Sequence, residues 1–116
     1  MTLAELEAAI RASWAQDTSD DPDEWTPENP SRGQCGVTSH VLREFLGGEI
    51  LVAPVKPSIN EHHCWNRLPS GVELDLTADQ FRPEQQILEP WVGEPTADTL
   101  PRCELLLARV RERLGL

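Results

Sequence analysis

The sequence predicts an α+β fold in which helices pack on a small antiparallel sheet. Helical apolar periodicity occurs near both ends of the chain and again after Cys35, and three short runs typical of β-strands follow the second periodic segment. Because these runs are joined by short connections, an antiparallel arrangement is favoured over a parallel one. The chain of 116 residues is expected to form one domain, residues 1–116.

Three helices are predicted, each from its apolar face and its terminal residues. The first spans about residues 3–15, where Thr2 and Glu5 match a capping box ahead of an apolar face. The second, Cys35–Leu46, is followed by two glycines that favour a left-handed helix end. The third covers about residues 100–114 and carries arginines near its C-terminus, where cations interact favourably with the helix dipole.

The segments between these helices are assigned from turn residues and β-branched content. Residues 17–33, rich in proline and acidic residues, are expected to form a loop. Residues 49–55 are predicted to form a strand, and residues 62–68 and 72–77 a hairpin around the turn residues 69–71. The proline-rich stretch after the hairpin is assigned no strand.

The charge balance and the cysteine count exclude several classes of protein. The formal net charge is −10, from 20 acidic and 10 basic residues, and there is no basic stripe, so nucleic acid is not expected as a partner. No apolar run is long enough for a membrane span, and no secretory signal is recognised. Three irregularly spaced cysteines are typical of free thiols, so a cytoplasmic location is expected.

Cys35 is the candidate nucleophile, because it lies between glycines at the start of a predicted helix. The helix dipole is worth only about 0.3–1 kcal/mol, too little to ionise a thiol with a pKa near 8.5, so a basic partner is needed. His40 lies about 500° further round the same helix and faces away. Adjacent strand residues point to opposite faces, so only one of His62 and His63 is expected to face Cys35.

The predicted hairpin favours His63 as the base. With the turn centred on Pro69, residues 63 and 75 lie directly opposite each other, and Asp75 can orient the imidazole. A one-residue slip would favour His62 instead. Cys35, His63 and Asp75 would then supply nucleophile, base and orienting carboxylate for acyl transfer through a thioester. The oxyanion would be bound by the backbone N–H of Cys35 and the side-chain amide of Gln34.

Four segments carry a family resemblance: residues 29–38, 45–50, 63–67 and 75–81. With the Ser-Trp pair at the end of the first predicted helix, they resemble the YunG-like family of small bacterial proteins over roughly residues 10–85. The Gly-Gln-Cys and Asp-Leu-Thr-x-x-Gln-Phe segments are the most specific. The resemblance implies a minimal papain-like or transglutaminase-like cysteine-hydrolase core without a settled substrate.

The resemblance also implies which residues form the site. Transferred residue by residue, the triad is Cys35, His63 and Asp75, with Asn66 and Gln80 as polar support. The sequence departs from the pattern expected of the family at two neighbouring positions. Cys64 stands where a large residue is expected after the histidine, and the additional His62 leaves the choice of imidazole open.

Other interpretations of the same side chains remain open. Cys35 could be a small core residue, Gln34 could bond to the loop backbone, and Cys64 and Cys103 are expected to be inert packing residues. Neither Cys-x-x-Cys nor His-x-x-x-His spacing occurs, so no metal site and no cofactor are predicted.

Three functions are consistent with these observations. The first is a cysteine hydrolase or acyltransferase acting on a peptide bond or another amide-containing substrate such as a glutamine side chain. The second is a catalytically inactive module that keeps a papain-like fold for binding an unknown partner. The third is a redox sensor in which Cys35 forms a sulfenic acid and Cys64 resolves it. The oligomeric state is left open.

Overall fold

A computed structural model describes residues 1–58 and 61–116, and in this part of the chain three α-helices accompany a five-stranded antiparallel sheet. The helices are α1 (Leu3–Ser13), α2 (Cys35–Leu46) and α3 (Leu100–Leu114). The strands are β1 (Glu49–Lys56), β2 (His62–Arg67), β3 (Glu73–Leu74), β4 (Gln86–Ile87) and β5 (Trp91–Gly93). The predicted α+β class is confirmed.

The β1 strand is the centre of the sheet. It pairs with β2 along one side, from Glu49 opposite Arg67 to Pro54 opposite His62. The β4 and β5 strands both pair with its other side, and β3 extends the sheet beyond β2. Since β4 and β5 have only two and three residues and lie among prolines, they show no alternating pattern, and the sequence did not predict them.

The hairpin register differs from the predicted one. Asn66 lies opposite Leu74, and the turn closes with a 2.8 Å hydrogen bond from the Leu68 N–H to the Val72 carbonyl, so its centre is Ser70. The predicted turn was centred on Pro69, one residue earlier. Each residue of the first strand was therefore paired with a residue two positions away from its observed partner, and the predicted register was wrong. A two-residue shift leaves every side chain on the same face of the sheet, whereas a one-residue shift would have reversed the faces.

The main apolar core lies among the three helices, and Leu76 from the segment after β3 completes it. Its buried residues are Leu6, Ala9, Ile10, Trp14, Val37, Val41, Leu42, Leu76, Cys103, Leu106 and Val110. The Trp14 indole N–H donates to Thr38 Oγ1 at 2.9 Å, which ties the end of α1 to α2. Among the described helices, none combines the length and apolarity that a membrane crossing requires.

Candidate active site

Cys35 is the first residue of α2 and is 6% exposed. The N–H groups in the first turn of a helix have no partners within the helix, so they can bind an anion near the thiol. The preceding Gly33 has a φ of 73°, and a Cβ there would lie 2.3 Å from Ser19 Oγ. The Gly33 carbonyl accepts a hydrogen bond from the Asp20 N–H at 3.0 Å. Glycine thus lets the Cys35 loop approach the segment after α1.

His63 is completely buried, and its Nε2 lies 2.6 Å from Asp75 Oδ2. The other carboxylate oxygen, Asp75 Oδ1, accepts a 3.2 Å hydrogen bond from the Thr77 N–H. The imidazole also packs edge-on against Phe81 and stacks on Trp65, with ring centroids 4.6 and 5.5 Å away. These contacts restrain both the ring and its carboxylate partner.

Gln80 connects the imidazole to the loop before Cys35. Its Oε1 accepts a 3.2 Å hydrogen bond from the Gly33 N–H, and its Nε2 lies 3.5 Å from His63 Nδ1. An amide donor beside Nδ1 and a carboxylate beside Nε2 favour the tautomer that carries its proton on Nε2. Because Nε2 is bonded to Asp75, Nδ1 is the nitrogen that can accept a proton from a thiol.

The protonated form of His63 is stabilised in the fold. Burial alone would lower the pKa of His63, but its hydrogen bonds with Asp75 and Cys35 outweigh burial and raise that pKa from 6.5 to about 9.

The Cys35 thiol lies close enough to Cys64 and His63 for both to change its pKa. The interaction with Cys64 and burial raise the pKa of Cys35 well above its usual value, while His63 acts in the opposite direction. The pKa of Cys64 is lowered by the same interaction. Cys64 was expected to be an inert packing residue, and its contact with Cys35 corrects that interpretation. Cys103, by contrast, is fully buried in the core, and burial raises its pKa to about 11.

Gln34 and Asn66 hold the surrounding backbone. The Gln34 side chain is fully buried, donates to the Ala15 carbonyl at 3.0 Å and accepts from Thr18 Oγ1 at 2.8 Å. Its amide therefore faces the loop after α1, and the backbone N–H of Cys35 is the better candidate for an oxyanion donor. Asn66 Nδ2 donates to the Ser39 carbonyl at 3.0 Å and thereby holds β2 against α2.

Two cavities meet at Cys35. Their volumes are about 290 and 320 Å³, and Asp20, Gly33 and His62 line both of them together with the cysteine. His62 therefore lines the same cavities as Cys35, although it lies on the opposite face of β2 from His63. Its ring contacts Trp91 edge-on at 5.7 Å, whereas His63 contacts Asp75.

Sequence reasoning missed the contribution of two distant residues to this site. Asp20 comes from the loop after α1, and Arg102 comes from the first turn of α3. Neither belongs to a motif or lies near Cys35 in the sequence, so no sequence signal identifies them. Across residues 1–58 and 61–116, no group of three or more His, Cys, Asp or Glu side chains is arranged to hold a metal ion.

The chain is similar to known proteins over most of its length, not only at the site residues. The family model described as YunG protein matches residues 2–115. This chain belongs to the YunG family. A YunG relative, "Uncharacterized protein YunG" of Bacillus subtilis (strain 168), is 38% identical over 73 residues, which are 63% of this chain and 57% of that protein. The match thus spans little more than half of that relative's length. No solved structure matches the chain.

The YunG family match covers more of the chain than the motifs that first suggested it. The resemblance was drawn over residues 10–85, whereas the family model also includes β4, β5 and all of α3. The segment that contributes Arg102 to the cavity beside Cys35 is therefore part of the family domain.

Proposed function

We propose that this YunG family protein is a cysteine-dependent hydrolase or acyltransferase that acts on an amide through a papain-like or transglutaminase-like core. In this proposal Cys35 is the nucleophile, His63 the general base and Asp75 the orienting carboxylate. The main support is the position of His63, whose Nε2 lies 2.6 Å from Asp75 Oδ2 while the Cys35 thiol is close enough to raise the pKa of the imidazole.

The proposed reaction has two stages. As the Cys35 sulfur attacks the amide carbon, His63 Nδ1 takes the thiol proton, and the first-turn N–H groups of α2 stabilise the oxyanion. The carbon–nitrogen bond then breaks, the imidazolium returns its proton to the departing amine, and a thioester remains on Cys35. Water or a second amine attacks this thioester, which gives hydrolysis or acyl transfer.

The pKa values set the expected pH dependence. Below about pH 9 the imidazole of His63 is mainly protonated and cannot accept the thiol proton. The thiol of Cys35 is itself protonated at neutral pH, since its pKa is raised. The reaction of Cys35 with an acylating reagent should therefore accelerate as the pH rises from 7 towards 9.

An acyl-transfer assay tests the proposal directly. With p-nitrophenyl acetate, the wild-type protein should release a burst of p-nitrophenolate equal to the protein concentration and carry an acetyl group on Cys35 by peptide mass spectrometry. Cys35→Ala should abolish the burst, His63→Gln should slow it by about 10²–10⁴-fold, and Cys103→Ala should retain it. A Cys35→Ala protein that still shows the burst would contradict the proposal, and a wild type without a burst would favour the non-catalytic binding module.

The contact between Cys35 and Cys64 favours a thiol redox switch as a second candidate function. Hydrogen peroxide would accept two electrons: the Cys35 thiolate attacks one oxygen, the O–O bond breaks, and a sulfenic acid and hydroxide form. The Cys64 thiolate then displaces hydroxide from that sulfur and closes a disulfide. We propose the reducing cytoplasm as the location, and all three cysteines are free in the structure.

Peptide mapping without reductant tests the switch. After mild hydrogen peroxide treatment, a disulfide between the peptides of Cys35 and Cys64 is expected in the wild type and in Cys103→Ala, and reductant should reverse it. Oxidation of Cys35 to sulfinic acid without any disulfide would contradict it.

A further inference from the structure

The cavity of about 290 Å³ on one side of Cys35 is lined in part by the first turn of α3 and the loop after α1. Its volume is just below that of typical small-molecule sites, about 300–1,000 Å³, so it suits a ligand of amino-acid size. Asp20, Glu94 and Arg102 bring formal charges to its wall. Which of these three side chains already form ion pairs within the protein indicates which of them can bind a charged ligand.

Arg102 forms no close ion pair within the described residues, although Asp20 and Asp98 interact with its charge at longer range. Its Nε is buried without a hydrogen-bond acceptor, and its guanidinium forms no ion pair. Glu94, which lines the same cavity, is bonded instead to Arg43 at 2.7 Å. An unpaired guanidinium with a buried N–H is unfavourable in the empty site, and a carboxylate can satisfy it with two parallel hydrogen bonds.

Asp20 supplies the opposite charge at the junction of the two cavities. Its carboxylate oxygen approaches Gly33, but in the part of the chain that the structure describes its side chain forms no hydrogen bond or ion pair. Partial burial raises the pKa of Asp20, and the nearby Arg102 opposes this increase. The two side chains are thus close enough to influence each other and are not paired with each other.

The second cavity at Cys35 lacks this pair of unmatched charges. Its Arg32 is bonded to Asp21 at 2.8 Å and to Glu61 at 3.1 Å, so Asp20 is the one carboxylate of this wall that has no ion pair among the described residues, and no unpaired cation faces it there. The two sides of Cys35 therefore differ in what they offer a ligand.

We propose that the cavity between Asp20 and Arg102 binds the zwitterionic end of a free amino acid, with the carboxylate on Arg102 and the ammonium group on Asp20. The two charges of an α-amino acid are adjacent, so one such molecule can present both to the side chains that line this small cavity, whereas a residue inside a peptide has neither charge. A side-chain amide of the same molecule then extends to Cys35, an assignment that rests on the proposed function. The substrate class is a free amino acid with a side-chain amide, such as glutamine.

Binding to the Cys35→Ala protein tests the site without turnover. L-Glutamine should bind, as measured by calorimetry, and both N-acetyl-L-glutamine and L-glutaminamide, each lacking one charge, should bind about 10- to 100-fold more weakly. Arg102→Met should weaken L-glutamine binding by a similar factor and leave the already weak binding of L-glutaminamide unchanged. Arg111→Gln, an exposed position on the same helix, is the matched control and should have no effect.

Further measurements distinguish a loss of ligand binding from misfolding of the variants and from a loss of acyl-transfer activity. Arg102→Lys keeps the charge but not the planar fork, so it should bind L-glutamine with an intermediate affinity, and thermal unfolding checks that all variants are folded. The inference is overturned if L-glutamine does not bind, if both blocked analogues bind equally well, or if folded Arg102→Met binds like the parent. In those cases the p-nitrophenyl acetate burst of the wild type would persist. Loss of the burst with L-glutamine binding intact would instead remove only the proposed function.

Discussion

Replacing Asp75 with asparagine should remove a large part of the pH dependence of stability. In the folded protein the pKa of His63 rises from 6.5 to about 9, which corresponds to about 3 kcal/mol in favour of the protonated imidazole. This stabilisation is fully present below pH 6.5 and is lost as the pH rises through about 9, because unfolding in this range releases the proton of His63 and a higher pH favours that release. In Asp75→Asn the burial of the ring is opposed only by Cys35, so the pKa of His63 should fall close to or below 6.5.

Urea unfolding at pH 6, 7.5 and 9.5 measures this effect. The free energy of unfolding of the wild type should decrease by up to about 3 kcal/mol across this range through His63, and Asp75→Asn should lose most of that decrease. Asp23→Asn, an exposed change with the same effect on net charge, is the control. Histidine ring signals in NMR spectra provide the pKa of His63 independently. An Asp75→Asn protein with the wild-type slope and an unchanged imidazole pKa would refute the reasoning.

Three further predictions concern the thiol, the loop and the core. Cys64→Ala removes the largest cause of the raised pKa of Cys35, so iodoacetamide should label Cys35 at a lower pH than in the wild type, and an unchanged pH profile would contradict this. Gly33→Ala should destabilise the protein by more than the ~1–2 kcal/mol expected from a positive φ alone, whereas Gly71→Ala, with open space around it, should cost only that amount in urea unfolding. Leu106→Ala, in the core and fully buried, should reduce the free energy of unfolding by about 2–5 kcal/mol, and a loss under 1 kcal/mol would show a core that readily collapses.

The sequence predicted the helices better than the sheet. Apolar periodicity over eleven or more residues located α1, α2 and α3 within one or two residues of their observed ends. The β4 and β5 strands are held by pairing with β1, and a tertiary interaction of this kind leaves no pattern in two or three residues.

The contact between His63 and Asp75 was predicted from the sequence, although the predicted hairpin register was wrong. Side chains alternate between the two faces of a strand, so a register shift of an even number of residues leaves each side chain on its predicted face. The observed register differs from the predicted one by two residues. Alternation along a strand does not predict contacts between segments that are distant in the sequence. The bond of Gln80 to Gly33 and the contact between Cys35 and Cys64 depend on how β2 is placed against α2, which side-chain spacing does not determine.

The arrangement of strands around β1 has a consequence for the behaviour of the protein in concentrated solution. One edge of the sheet consists of the two-residue β3 and of residues 62–65 of β2, which β3 does not pair, and the other edge is divided into β4 and β5 by a segment that contains Pro90. A long unpaired edge strand can pair with a strand of another copy of the protein. Short and interrupted edges offer few consecutive unpaired N–H and C=O groups for such pairing. Together with a net charge of −10, this geometry should oppose amyloid-like assembly of folded molecules.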